Sequence, residues 1–193
     1  MQSQAVAPMK SAQVGCLVVV AGLAFLGWKL FSAIQSDAED PTEGLQRPPA
    51  ELAYIATLRA AQTRYDAAPN DLQRAEISTQ LRHDAPATVP MHALLNWTGV
   101  INTLGASPEG KAYTMIAIGK GIIVTTAIDD ATDRSYGTLI PQGSPIFRYL
   151  SQSKVGDRVA FSAEMLAVSG NGHLAYFKYP EMIVRFVSIG PAS

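Results

Sequence analysis

Every residue from Val14 to Trp28 is apolar, and after Lys29 the chain continues Leu30, Phe31, Ser32, Ala33, Ile34. A helix over residues 14–28 would rise about 22 Å, short of a hydrocarbon core of roughly 30 Å. Extension to Ile34 supplies the missing length. Lys29 can snorkel toward headgroups, and Trp28 suits an interface belt. Residues 14–34 are therefore read as an uncleaved transmembrane helix that meets membrane lipid, preceded by a short tail over residues 1–13. A cleaved signal peptide is the rival reading, but no clean small-x-small site follows, and Ser32-Ala33 is the nearest approach to one. A buried helix is the third reading. The apolar stretch follows Cys16 instead of preceding it, which is the wrong order for a lipidation box.

Residues 35–50 change character. They are acidic, contain Pro41, Pro48 and Pro49, and hold almost no large apolar side chain. Such a stretch reads as a solvated spacer. Residues 51–84 then read as two helices. Tyr54, Leu58, Ala61 and Tyr65 fall on one stripe at helical spacing. Pro69 should end that helix near Asp66. Asn70 starts the second as an N-cap, with Gln73 at the third position in a capping-box-like arrangement. Leu72, Ala75, Ile77 and Leu81 give it a mixed apolar side. Arg59, Arg64, Arg74 and Arg82 decorate the pair and read as solvated faces with local ion pairs to Asp66, Asp71 and Glu76.

From Asp84 to Pro90 the helical period stops, and over residues 91–190 it is replaced by a period of two. Leu95, Trp97, Gly99 and Ile101 alternate with Asn96, Thr98, Val100 and Asn102. Gly105–Gly110 is a turn cluster, Lys111–Ile118 a second strand, Gly119-Lys-Gly121 a tight turn and Gly121–Ile128 a third strand. A polar loop covers Asp129–Gly137. Gly143–Gln152 reads as a short helix with Ile146, Phe147 and Leu150 able to face inward. Val159, Phe161, Ala163 and Met165 alternate along a fourth strand, Ser169–Gly172 is a hairpin turn, and Glu181–Ile189 is the last strand. An apolar piece at Leu174–Tyr179 leaves room for a sixth. The fold class expected is α+β: a transmembrane helix, a helical pair, then a five- to six-stranded barrel with one short helix between strands three and four.

Three strands, a helix and two further strands is the order of the OB-fold barrel. Residues 97–187 resemble an OB-fold domain of the tRNA-anti-like type found in poorly characterised bacterial proteins. The resemblance is carried by Trp97-Thr-Gly-Val-Ile101, the strand pair around Gly119-Lys-Gly121, and the Leu-x₄-Val-Gly-Asp-x-Val-x-Phe pattern from Leu150 to Phe161. It implies a ligand face on strands two and three, flanked by the loops at Gly105–Gly110 and Ser169–Gly172. Lys111, Tyr113 and Met115 would share the outer side of strand two, with Tyr113 a stacking platform. Asn171 and His173 would belong to the second loop. A fold of this kind leaves activity open.

Composition narrows the chemistry. The chain has 193 residues with one Cys, 15 Lys and Arg, and 16 Asp and Glu. One cysteine excludes a disulfide framework, a four-thiolate zinc site and an iron–sulfur cluster. From Thr88 onward there are eight Lys and Arg against seven Asp and Glu, too balanced for a polyanion binder. Asp129, Asp130 and Asp133 miss the EF-hand spacing and read as a solvated loop. His83, His92 and His173 are scattered, and no nucleophile elbow or phosphate loop occurs. Trp97 sits on an apolar face and reads as core. No metal, cofactor or catalytic set is expected.

The reading that joins these features is a single-pass, non-catalytic module at the bacterial inner membrane. Its amino terminus is cytoplasmic and its barrel is on the periplasmic side, although Lys10 and Lys29 leave the flanks nearly balanced. Its partner is a protein or another copy of itself. The alternative is binding of single-stranded nucleic acid or oligosaccharide through strands two and three.

Overall fold

The structure is a computed structural model that describes residues 40–128, 130–169 and 181–192. The anchor expected at 14–34, and Asn171 and His173, lie outside the described residues. Among the described residues no helix is long and apolar enough to cross a membrane.

Two helices come first, α1 over Pro49–Ala67 and α2 over Asp71–Ala87. Pro49 occupies the first turn of α1, where its missing N–H costs nothing. Asn70 caps α2 as the sequence indicates, its side chain accepting from the Gln73 N–H at 3.0 Å. α2 runs past Asp84 and includes Pro86, whose missing N–H forfeits one helical hydrogen bond just before the helix ends at Ala87. Arg74 pairs with Asp71 at 3.0 Å, as expected of a local ion pair. Arg59 instead reaches back to Asp40 at 3.2 Å.

A 3₁₀ turn at Pro90–His92 leads into five strands: β1 Ala93–Ala106, β2 Ala112–Gly119, β3 Ile122–Thr125, β4 Arg158–Ser169 and β5 Glu181–Pro191. They close a barrel in the order β1-β2-β3-β5-β4. All neighbours are antiparallel except β3 and β5, which run parallel. The order is compatible with the OB-like barrel expected. Two short helices stand between β3 and β4, α3 at Asp130–Tyr136 and α4 at Pro145–Leu150. α4 is the expected helix, capped by the Ser144 side chain accepting from the Phe147 N–H. α3 replaces part of the loop expected at Asp129–Gly137.

The core is continuous from barrel to helices. Trp97, Ile101, Ile116, Val124, Phe161 and Val184 are fully enclosed, and Tyr54, Leu58, Ile77 and Leu81 join the same cluster. The Tyr54 ring meets Trp97 at 5.6 Å between centroids. Each such side chain contributes roughly 1.5–3 kcal/mol on burial, so the helical pair is part of the folded body. Trp97 is core, as its position in the strand pattern indicated. Leu95 was expected on the same face but is 62% exposed. The cause is a bulge: Leu95 and Asn96 together oppose Ser162, between the pairs Leu94↔Ala163 and Trp97↔Phe161. Asn96 takes a positive φ of 54°, which its short polar side chain tolerates.

Candidate functional site

Residues 40–48 do not behave as a solvated spacer. They form a strap held to the barrel by side chains. The Asp40 carboxylate accepts from the Thr42 N–H at 3.0 Å and from the Thr42 hydroxyl. Arg47 donates through Nη2 to the Thr42 carbonyl at 3.1 Å, to the Thr42 hydroxyl, and to the Ile118 carbonyl of β2 at 3.2 Å. Its Nε donates to Glu51 Oε1 at 3.2 Å. Glu51 stands in the first turn of α1 and is 0% exposed. Its other oxygen accepts from the Thr98 N–H of β1 at 2.8 Å. The Thr98 hydroxyl donates to the Gln46 carbonyl at 3.1 Å, and Arg158 of β4 donates to the Glu43 carbonyl at 3.1 Å.

Burial pushes the Glu51 carboxyl up to about 7, against the opposing pull of the Thr98 N–H and of Arg47. Burial also acts to raise Asp40, but hydrogen bonds from Thr42 and the Lys120 backbone, with the Arg47 charge, outweigh it and hold the group below its ordinary value. The cluster is a buried acid–base network that joins strap, α1, β1 and β2. Sequence reasoning missed it. The signal was present: Glu51 lies three residues before Tyr54 on the buried stripe and four after Arg47.

A second cluster surrounds the expected ligand face. The outer side of β2 carries Lys111, Tyr113 and Met115, all half-buried and alternating with buried Ala112, Thr114 and Ile116. The structure therefore brings these three together on one side. It also shows what covers them. A Cβ on Gly105 would lie 2.3 Å from Cζ and Oη of Tyr113, so that ring rests on the backbone of β1. Covering a strand glycine with a cross-strand aromatic is a packing device, and it takes part of the ring away from stacking. Lys111 Nζ lies 3.3 Å from Glu109, 3.4 Å from Asp133 and 4.0 Å from Asp130. Hydrogen bonding to Glu109, reinforced by Asp133, holds its pKa above the ordinary value despite some desolvation.

Asp133 is no solvated loop residue. It is 8% exposed, and one carboxylate oxygen accepts from both the Thr138 and Leu139 N–H groups. Burial acts to raise it, and these two N–H groups with Lys111 lower it further than burial raises it. Ser107 donates to Asp130 at 3.0 Å, and an isolated bridge joins Ala112 to Ile140. The loop between β1 and β2 is thus pinned by α3 and the segment after it. Among the described residues no group of three His, Cys, Asp or Glu is placed to hold a metal ion.

A third feature was invisible in the sequence. A groove of about 290 Å³ runs beside β4, lined by Arg82 and Pro86 of α2, His92, and Met165, Leu166, Ala167 and Val168.

Comparison with protein-family models, with curated proteins and with solved structures finds no match.

Proposed function

We propose that the chain is a non-catalytic, membrane-tethered, OB-like module that mediates protein–protein interaction or assembly at the bacterial cell envelope. Residues 14–34 serve as the anchor in the inner membrane, and the barrel stands on the extracytoplasmic side. Tethering raises the local concentration of a binding surface without adding contacts to it. The tRNA-anti-like resemblance supports an OB-like module and leaves its ligand open.

The observation that carries this reading is the charge state of the β2 face. Lys111 would have to meet a phosphate, yet three carboxylates surround it within 4.0 Å. Polyanion binding needs positive potential, because affinity for phosphate backbones comes mostly from counterion release. A single lysine outnumbered by carboxylates supplies none. The second reading, single-stranded nucleic acid or oligosaccharide on this face, draws on the half-buried Tyr113 ring.

Two measurements test the proposal. Carbonate extraction of cells expressing the full chain with a tag at Ser193 should leave it in the membrane, with the tag open to protease from the non-cytoplasmic side. Fluorescence anisotropy of a labelled single-stranded oligonucleotide with the full chain in nanodiscs should show no saturable binding at physiological salt. Saturable binding that weakens with salt and is lost in Tyr113→Ala would overturn the proposal in favour of the second reading.

A further inference from the structure

The strap at residues 40–48 is folded on itself before it is fixed to anything else. The Glu43 N–H donates to the Asp40 carbonyl at 3.0 Å, and the Leu45 N–H donates to the Thr42 carbonyl at 3.3 Å. Thr42 then ties the two ends together. The Asp40 carboxylate accepts from its N–H and its hydroxyl, and Arg47 donates to its carbonyl and its hydroxyl. All these bonds lie inside the segment, so they let it move as one piece.

Its attachment to the rest of the body is different in kind. Arg47 donates to Glu51 and to the Ile118 carbonyl, and the Gln46 carbonyl accepts from the Thr98 hydroxyl. The Glu43 carbonyl accepts from Arg158, and the Asp40 carboxylate accepts from Arg59. Every one of these bonds is polar. None of residues 40–48 belongs to the hydrophobic core or to the half-buried apolar side chains packed on it. Apolar area returned to water is a plain loss, whereas a broken hydrogen bond is exchanged for one with solvent at a much smaller net cost. The attachments from Arg59 and Arg158 stand at the surface, in competition with solvent. Segments with few buried apolar contacts are the ones that open locally, below the free energy of global unfolding.

Release leaves the body whole. Glu51 belongs to α1 and Thr98 to β1, and their bond at 2.8 Å does not pass through the strap. The contact of Tyr54 with Trp97, which joins α1 to the barrel, is equally independent of it. The enclosed side chains of Thr42 and Glu51 are polar and gain water when the strap lifts.

We infer that the strap is a releasable reserve of tether: it lifts off α1, β1, β2 and β4 as one piece while the body stays folded. The inference rests on the anchor reading, in which residues 14–34 lie in the membrane. With the strap docked, the tether is residues 35–39. With the strap released, it is residues 35–48. At about 3.5 Å per extended residue, the limit of reach rises from roughly 17 Å to roughly 50 Å. A short tether raises the local concentration of the module's surface, and a long one widens the range over which that surface meets a partner.

Native-state hydrogen exchange on the full chain in nanodiscs reads release directly. The Glu43 and Leu45 amides report on the strap. The Thr114 amide, bonded to the Thr126 hydroxyl at 3.1 Å, reports on the barrel. Glu43 and Leu45 should exchange through one shared opening, at least tenfold more populated than the opening that exposes Thr114. Arg158 is exposed, and Arg158→Ala removes the donor to the Glu43 carbonyl. It should raise the strap opening about tenfold at both amides, the loss of one charged-donor hydrogen bond, and leave Thr114 unchanged. Strap amides that exchange only together with Thr114 would overturn the inference, as would Arg158→Ala acting on all three amides alike. A graded opening, with Glu43 faster than Leu45 and Glu43 alone responding to Arg158→Ala, would mean end fraying and overturn it too. Carbonate extraction is a separate test: failure there overturns the anchor reading and the tether role with it, and leaves the exchange result as it stands.

Discussion

The molecule carries two clusters of basic and acidic side chains on different walls of one barrel, and they do different work. Around Arg47 and Glu51 the carboxylate is fully enclosed and the guanidinium side chain is 16% exposed. Around Lys111 the ammonium is 35% exposed and all three of its carboxylates are wetter than Glu51. The chemistry is the same, and burial separates the outcomes. An arginine cannot shed its charge, so once enclosed it must be matched by a carboxylate or by carbonyl oxygens in fixed places. That requirement ties the strap to α1, β1 and β2. The exposed lysine makes no such demand, and solvent screens its pairs. Its cluster neutralises a face without holding the fold together. Asp133 stands between the two cases: it is buried, but its two main-chain partners are local.

The largest expected effect breaks the enclosed cluster. Glu51→Ala strands Arg47 among carbonyl oxygens and leaves the Thr98 N–H without its acceptor. The cost should be about 3–5 kcal/mol, the range for removing one partner of a buried pair. Urea unfolding of the full chain in detergent checks it, and a loss under about 1 kcal/mol would mean that the strap is dispensable.

The next effect is a pH dependence. Glu51 holds its proton up to about 7 in the fold against 4.5 for a free side chain. The native state therefore keeps an extra proton between those values. Stability from this group is complete below about pH 4.5 and declines as pH rises through about 7, by roughly 2–4 kcal/mol at most. Burial of Glu181 acts in the same direction. Asp40 and Asp133 act oppositely: their contribution is present above the ordinary value of 3.8 and is lost as pH falls through their lowered values. Stability should peak at about pH 4–4.5, and Glu51→Gln should flatten the decline above it. Thermal melts across pH decide this, and an unchanged slope in Glu51→Gln would contradict it.

Asp133→Ala should cost less, about 2–3 kcal/mol, from two main-chain N–H groups left without an acceptor. Asp133→Asn retains an acceptor and should recover part of that loss. The smallest structural effect is at the surface. Lys111→Met should leave the urea midpoint unchanged within error. The double substitution Glu109→Gln and Asp130→Asn should unmask Lys111 and raise the affinity for a single-stranded oligonucleotide above that of the parent chain. If masking is absent, the two chains will bind alike.

Much of the architecture was legible because strands and helices announce themselves by period. Trp97, Phe161 and Val159 alternate as the barrel requires, and Asn70 marks a helix start by side-chain chemistry alone. The bulge at Leu95–Asn96 was not legible, since one extra residue flips the register without changing composition. α3 was hidden because Asp130, Thr132 and Asp133 are weak helix formers, and its place depends on what Asp133 meets after the turn. The strap was hidden for a related reason. Polar residues with prolines suggest solvent, and only the fold shows that Thr42 and Glu51 are enclosed. Lys111, Tyr113 and Met115 share a face, as the strand period indicates, but the lysine charge and the tyrosine ring are already engaged within the chain.

Two main-chain amides report on the two clusters directly, that of Thr98, which donates to Glu51, and that of Leu139, which donates to Asp133. Native-state hydrogen exchange read at both tests the division between them. The Thr98 amide should exchange only through global unfolding, and the Leu139 amide through a smaller local opening. Asp133→Ala should then speed Leu139 and leave Thr98 unchanged. Equal opening free energies at the two sites, with both accelerated by Asp133→Ala, would contradict the account.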